Sequence, residues 1–245
     1  MKLSDMLAYT AEEYLDDRTD LLDGEADELW SDITLVRYFN EAEKRLCRRA
    51  WVLQDIGHPT AGVIVLATDK SLYHLHKSVL RVRVATPDDV DVPLSHWTDE
   101  QLMRPRPTDM DYWDINRAEL FTPGVPLAIS TDAATRTMRV VPAPSATQNG
   151  LRVILKVARM PVCELTLDKL EAEPEVDEQW HQEILCMYAA GKCLTHPNAD
   201  ASAKTEGRNI LSQVEATIRE ARQEMLRAEG AEPRFQFASD TARIR

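Results

Sequence analysis

The period of the hydrophobic pattern changes twice along this chain, and that change constrains the fold more than any single motif. From about residue 61 to 160 apolar and polar residues alternate, whereas on both sides apolar residues recur every three or four positions. VLRVRVA (79–85) sets Leu80, Val82 and Val84 on one face of a strand and Arg81 and Arg83 on the other; LRVILKV (151–157) repeats the device, with Leu151, Val153, Leu155 and Val157 opposite Arg152 and Lys156. VIVLA (63–67) reads as a buried strand. PLAIS and RTMRVVP flank the polar turn TDAAT, and SATQNG carries an Asn149-Gly150 hairpin signal between RTMRVVP and LRVILKV. These segments predict one antiparallel sheet of four to six strands. Pro105, Pro107, Trp97, Tyr112 and Trp113 mark a long excursion within it, and TDEQLM (98–103) suggests a helical turn.

The flanks read as helices. Residues 3–15 bring Leu3, Met6, Leu7 and Tyr14 near one side, and DDRTDLLDGEADE follows as an acidic connection. It is a poor calcium loop, because aligning Gly24 with the glycine of an EF-hand places Thr19 and Leu21 at the first two ligand positions and Trp30 where a bidentate Glu belongs. LWSDITLVRYFNEAEKRLCRRA (29–50) starts at Ser31 as N-cap, with Trp30 placed to close over Leu35 and Asp32 at the positive end of the dipole. Leu35, Phe39, Ala42, Leu46 and Ala50 form its buried stripe, and Glu41 is spaced to pair with Arg45. Lys44, Arg45, Arg48 and Arg49 suit the negative end of the helix dipole, though an acidic partner surface would also explain them. After Pro174, Asp177 is placed to cap a helix with Trp180, Ile184, Met187 and Tyr188 on its apolar side, and Ala189, Ala190 and Gly191 admit a close neighbour. A last helix over roughly 201–229 carries Ile210, Leu211, Val214, Ile218, Ala221 and Met225 inward, has Glu215 and Arg219 as a surface pair, and stops at Gly230.

Of 245 residues, 41 are Asp or Glu and 29 are Lys or Arg, a formal charge of -12. A protein of that charge repels nucleic acid and anionic membrane unless its cations are segregated. No window is apolar for the length a membrane helix needs, and acids stand where a secretory signal would be apolar, so synthesis in the cytoplasm without membrane insertion is expected. Cys47, Cys163, Cys186 and Cys193 form no CxxC pair and read as buried reduced thiols. His74 and His76 share a strand face without a third ligand at a fixed offset, and Cys186 and Cys193 are seven apart rather than four. With no glycine-rich phosphate loop, GxSxG or HExxH, the reading is no metal, no cofactor, no catalytic residue and no enzyme.

That leaves the face bearing Arg81, Arg83, Arg152 and Lys156. An RNA-reading sheet would interleave exposed aromatics with its cations, but the residues between these are Val, Leu and Ile. Two readings stand: a solvated face, or a subunit interface meeting the acidic 11–32 region of a neighbour.

The order of parts, with the W-S-D start before Y-F-N-E-A and the V-V-P-A-P stretch ahead of the last strand, resembles the head-to-tail adaptor (connector) proteins of tailed bacteriophages over nearly the full length. The resemblance implies a non-enzymatic virion protein of the neck that docks as a homo-oligomeric ring, typically of twelve copies, beneath the portal protein. A downstream tail or nozzle protein would bind the ring, and genomic DNA would pass through it without specific binding, as its negative charge also suggests. The fold class expected is α+β, a helical bundle built from the N- and C-terminal helices with an inserted antiparallel β-sheet domain and an extended C-terminal tail. The boundaries read are 1–60 and 166–230 for the helices, 61–165 for the β domain and 231–245 for the tail. Portal docking is assigned to the tail, with Phe235 and Phe237 entering apolar pockets while Arg234, Arg243 and Arg245 reach carboxylates. Arg81, Arg83, Arg152 and Lys156 are assigned to contact between subunits. The alternatives are another neck or tail-completion protein and a cytoplasmic nucleic-acid-binding regulator.

Overall fold

In the computed structural model, residues 1–15, 30–89, 92–97, 122–132, 134–197 and 199–231 are described. The excursion around Tyr112 and Trp113, the TDEQLM turn, the acidic connection and the tail from 232 onward lie outside them. The chain is α+β and divides into two compact units, Met1–Val52 with Leu165–Arg245, and Leu53–Glu164.

The first unit is helical. Helix α1 (Leu3–Thr10) continues into a π-helical turn, Ala11–Leu15, and buries Leu3, Met6 and Leu7; Tyr14 is only half-buried. Its first backbone N–H groups, which have no partner inside a helix, are met by the returning chain: Leu3 N donates to Ala172 O at 2.9 Å and Ser4 N to Leu170 O at 3.1 Å. Helix α2 (Asp32–Ala50) buries Leu35, Phe39, Ala42, Leu46 and Ala50 as its spacing predicts, and ends where Trp51 turns left-handed at φ 57°.

The ends of α2 differ from expectation in two details. Ser31 is its N-cap, but the Ser31 hydroxyl bonds the Thr34 hydroxyl at 3.0 Å rather than a backbone N–H. Trp30 meets the His196 ring edge-on at 5.3 Å between centroids, a contact that local spacing does not encode.

A second π-helical stretch (His181–Cys186) runs into helix α3 (Met187–Leu194), burying Trp180, Ile184 and Tyr188. Asp177 does not cap it through its side chain; its carbonyl accepts the Trp180 N–H at 3.0 Å. Helix α4 (Ala201–Ala231) buries Val214, Ile218 and Ala221, with Ile210, Leu211 and Met225 half-buried beside them. Helices α3 and α4 touch at a glycine crossing. A Cβ on Gly207 would stand 2.9 Å from the Gly191 carbonyl oxygen, so the two backbones are in contact there.

The second unit holds two four-stranded sheets rather than the single sheet predicted. One contains β1 (Gln54–Ile56), β2 (Val63–Val65), β4 (Val79–Pro87) and β8 (Arg152–Arg159); β8 is central, with β1 and β2 along one edge and β4 on the other, all antiparallel. The other runs β3 (Leu72–His74), β7 (Thr137–Val141), β6 (Ala128–Asp132), β5 (Ser95–His96), and its β5–β6 pair is parallel. The TDAAT turn does join β6 and β7 as a hairpin. SATQNG does not: β7 and β8 enter different sheets, and the segment instead forms a 3-10 turn, Ala146–Gln148. Gly150 leaves it at φ 84° with its N–H on Leu66 O at 2.9 Å, so the glycine serves a corner between sheets. Leu66, Tyr73, Val82, Ile129, Met138, Val140, Val153, Leu155 and Val157 make the core between the two sheets.

Candidate docking surface

Strand β8 alternates over residues 152–157, and its last two residues, Ala158 and Arg159, are both buried. Val153, Leu155 and Val157 are buried, so Arg152, Ile154 and Lys156 point away from the core. Strand β4 does not, because its register slips between Val79 and Arg81 and again between Val82 and Val84. Each slip inserts an unpaired residue and rotates the residues after it. The buried set is therefore Val79, Val82 and Ala85 rather than Leu80, Val82 and Val84. The outward face nonetheless keeps its cations: Arg81 pairs with Ala158 and Val84 with Lys156, both on the side of β8 away from the core.

Pairing fixes how the four predicted residues are grouped. Arg81 and Lys156 lie at one end of the sheet, and Arg83 joins them through the Arg83 Nη1 bond to the Gln54 carbonyl oxygen, Gln54 itself being opposite Ala158. Arg152 faces Val65 four residues along β8 from Lys156, about 13 Å away at the usual strand rise. The structure thus brings three of the residues together and leaves the fourth at the far end.

Two apolar side chains complete this face and were not singled out from sequence. Ile56, opposite Lys156, is 70% exposed, and Val65, opposite Arg152, is 56% exposed. QDI and VIV are too short to reveal by alternation which residue faces outward. Nearby, burial and the Arg81 cation hold the His96 imidazole below its ordinary pKa.

The basic end of α2 has a different fate. Arg45 Nε and Arg49 Nη1 both donate to the Glu215 carboxylate of α4, at 2.5 and 2.7 Å. The expected Glu41–Arg45 and Glu215–Arg219 pairs are therefore not formed. Helix packing offers each group a better partner than its own helix: Glu41 accepts from Tyr188 and pairs with Lys192 at 3.2 Å, while Arg219 Nε donates to the Glu215 backbone carbonyl. Burial pushes the Glu41 carboxyl upward, but the Tyr188 and Lys192 bonds outweigh it and hold the group below its usual range.

Two other acid–base groups, Glu43 and His181, sit deep in the helical unit. Glu43 is 1% exposed, and its Oε1 accepts the backbone N–H groups of Glu175 and Val176 at 2.7 and 3.3 Å. Burial raises its pKa to about 7 against the opposing pull of those two bonds. His181 Nε2 donates to the Val176 carbonyl at 2.9 Å, so the same segment is held from both sides; burial keeps this imidazole below its ordinary pKa.

His76 Nδ1 is bonded to the Ser78 hydroxyl at 2.8 Å while His74 is exposed on β3, and among the described residues no group of three His, Cys, Asp or Glu could hold a metal ion. Cys47, Cys186 and Cys193 are buried, and burial pushes the Cys186 thiol up to about 11. Cys163 is exposed, against expectation, because it lies past the end of β8 in the segment leading out of the sheets. No helix among the described residues is long and apolar enough to cross a membrane. The tail residues Arg234, Phe235, Phe237, Arg243 and Arg245 lie outside the described residues.

Compared with known protein families, the sequence matches that of the SU10 adaptor protein over residues 1–234, which takes in both units. The match stops at Arg234, so Phe235, Phe237, Arg243 and Arg245 lie beyond it. No curated protein matches the chain.

Proposed function

The chain belongs to the SU10 adaptor protein family, and from that membership we propose that identical copies form a ring, of twelve as the resemblance suggests, beneath the portal at the neck of a tailed phage. The observation that carries the reading is the extent of the match, which spans helical and β units together instead of one shared module. In this reading the helices from the two ends of the sequence form a bundle around which the ring is built, and the β domain, read as 61–165, is an insertion. Residues 231–245 reach the portal, with Arg234, Phe235, Phe237, Arg243 and Arg245 as anchors. Arg81, Arg83, Arg152 and Lys156 lie at the contact between neighbouring copies.

The role is mechanical and calls for no reaction. A downstream tail or nozzle protein binds the assembled ring, and DNA passes through it. A formal charge of -12 suits that passage, because carboxylates repel phosphate, where a clamp would need the opposite sign.

Electron microscopy of the purified protein mixed with its portal tests the reading. Rings on the portal are expected, and single molecules indifferent to it would refute the assignment. Deleting residues 233–245 tests the docking tail separately: unchanged affinity for the portal would place the contact elsewhere and favour a component that binds the tail side.

A further inference from the structure

We propose that residues 170–179 form a strap that opens as a local unit, with Val176 as its catch and Glu43 and His181 as the two proton-sensitive groups that hold it shut. The device lies wholly within the helical unit and does not depend on the proposed ring.

The strap ties together elements that are distant in sequence. Its Leu170 and Ala172 carbonyls accept the Ser4 and Leu3 N–H groups at the start of α1. Glu43 of α2 accepts its Glu175 and Val176 N–H groups, and His181, at the head of the second π-helical stretch, donates to its Val176 carbonyl. Val176 is thus gripped at both its N–H and its C=O by side chains, where a helix or strand would use a backbone ladder. From Leu170 to Gln179 only Pro174 and Val176 are buried. Few buried apolar contacts, with backbone bonds that end on single side chains, make a segment open separately from the whole.

The two grips respond to protons in opposite ways. With Nε2 donating, the neutral His181 ring has a bare acceptor at Nδ1, and that atom is buried with no hydrogen-bond partner among the described residues. A proton added there would be a buried donor with nothing to receive it, so the strap must part for His181 to charge. Glu43, 1% exposed, has the converse need: its carboxylate reaches water only when the strap lifts.

Burial raises the Glu43 carboxyl from its ordinary 4.5 to about 7, so opening releases a proton between those values and closure weakens as pH rises through them. Burial also holds the His181 imidazole below 6.5, so opening takes up a proton below that value and closure weakens as pH falls. Where the two ranges overlap, the proton Glu43 gives up offsets the one His181 gains. The other charges facing the pair are Glu175 and Lys44 at Glu43, and Glu173, Glu178 and the Met1 ammonium at His181. Glu173 and Glu178 are 59% and 80% exposed, so salt screens them far more than it screens the buried pair.

Hydrogen exchange of the full-length protein, corrected for intrinsic rates and read in peptides covering 170–181, tests the strap. His181→Gln keeps a donor for the Val176 carbonyl and leaves only the Glu43 dependence. Strap protection in this variant is expected to fall by up to about tenfold per pH unit from 4.5 to 7. Glu43→Gln leaves only the His181 dependence, and protection is expected to fall in the other direction, as pH drops below 6.5. Peptides from α4 should stay protected in both, which shows that the helical unit is folded. Slopes of the same sign, slopes that vanish at high salt, or a strap that exchanges only together with α4 overturn the inference. Long-range 1H–15N NMR of the wild-type protein tests it without any variant: His181 is expected to be still mostly neutral at pH 6.5, with its proton on Nε2. Half-charging at that pH, or a proton on Nδ1, overturns the inference.

Discussion

Replacing Gly207 with alanine sets two effects of opposite sign against each other at the α3–α4 crossing. In an exposed helix interior the change gains about 1 kcal/mol, since glycine is the poorer helix former by that amount. Here the new Cβ would stand 2.9 Å from the Gly191 carbonyl oxygen, 2.9 Å from Leu194 Cβ and 2.9 Å from Thr195 Cγ2. Carbon contacts are comfortable only at about 3.5–4.0 Å. The first two atoms move only with the backbone of α3, and the Thr195 rotamer is held by its hydroxyl bonds to the Gly191 and Lys192 carbonyls at 2.9 and 3.1 Å. Relief therefore requires the helices to part by several tenths of an ångström, which loosens the packing around Val214 and Ile218.

Overpacking of this kind costs about 1–3 kcal/mol before the propensity gain is subtracted, or a little more where backbone is fixed. The net loss is then about 0–2 kcal/mol, seen as a fall in Tm of up to about 8 °C in a chain this size. Thermal unfolding followed by the helical circular dichroism signal measures it, with Arg208→Ala on the exposed face of α4 as a control that should stay within about 0.5 kcal/mol. Gly191→Ala should cost less, because its nearest clash, 2.8 Å to Leu211 Cγ, involves a half-buried side chain free to turn. A Gly207→Ala protein that melts higher than wild type would refute the account of the crossing.

Glu43 makes stability depend on pH. Its folded pKa of about 7 lies above the ordinary 4.5, so the folded state binds the proton more tightly, and stability should fall by about 3 kcal/mol as pH rises from 4.5 to 7, then level off. Glu43→Gln keeps an acceptor for the Glu175 and Val176 N–H groups and should remove that fall; denaturant midpoints across the range decide, and a slope unchanged in the variant would count against it. Glu215→Ala leaves Arg45 and Arg49 without their shared carboxylate on a half-exposed surface, so a loss of about 0.5–1 kcal/mol is expected that shrinks at high salt; a loss indifferent to salt would point to packing instead. Arg136 stands exposed in the β6–β7 turn at φ 52°, and Arg136→Gly should stabilise by up to about 1 kcal/mol; a lower melting temperature would mean that its side chain contributes more than the backbone conformation costs.

What could be read from sequence were features set by one element alone. The α2 stripe, the β8 alternation and the β6–β7 hairpin are encoded by local spacing, and the α+β class comes from them. Features that depend on a second element were missed. Arg45 was spaced for Glu41 yet met Glu215, 170 residues away in sequence. Two register slips in β4 altered which residues of VLRVRVA are buried, and no pattern of apolar residues announces a bulge. Asn149-Gly150 is a sound turn signal that says nothing about whether its flanking strands pair with each other. In the candidate face, the cations were legible from alternation in two long strands, while Ile56 and Val65 belong to strands of three residues that carry no period. Gly191 was read as admitting a close neighbour, but its counterpart Gly207 had no visible role until α3 and α4 met.

The order of the chain has a consequence for synthesis. Leu53–Glu164 is one uninterrupted stretch, so it can fold as soon as it clears the ribosome, whereas α1 and α2, made first, pack on each other and bury most of their remaining apolar surface against segments translated last. Until residues 181–231 emerge, the apolar stripe of α2 lacks most of its cover, and the nascent chain carries exposed apolar surface through most of its translation. Pausing near the end of the message, or a truncation before Val214, would therefore harm the oldest part of the polypeptide before the newest. Solubility in the cell would respond to the last fifty codons more steeply than their share of the core suggests.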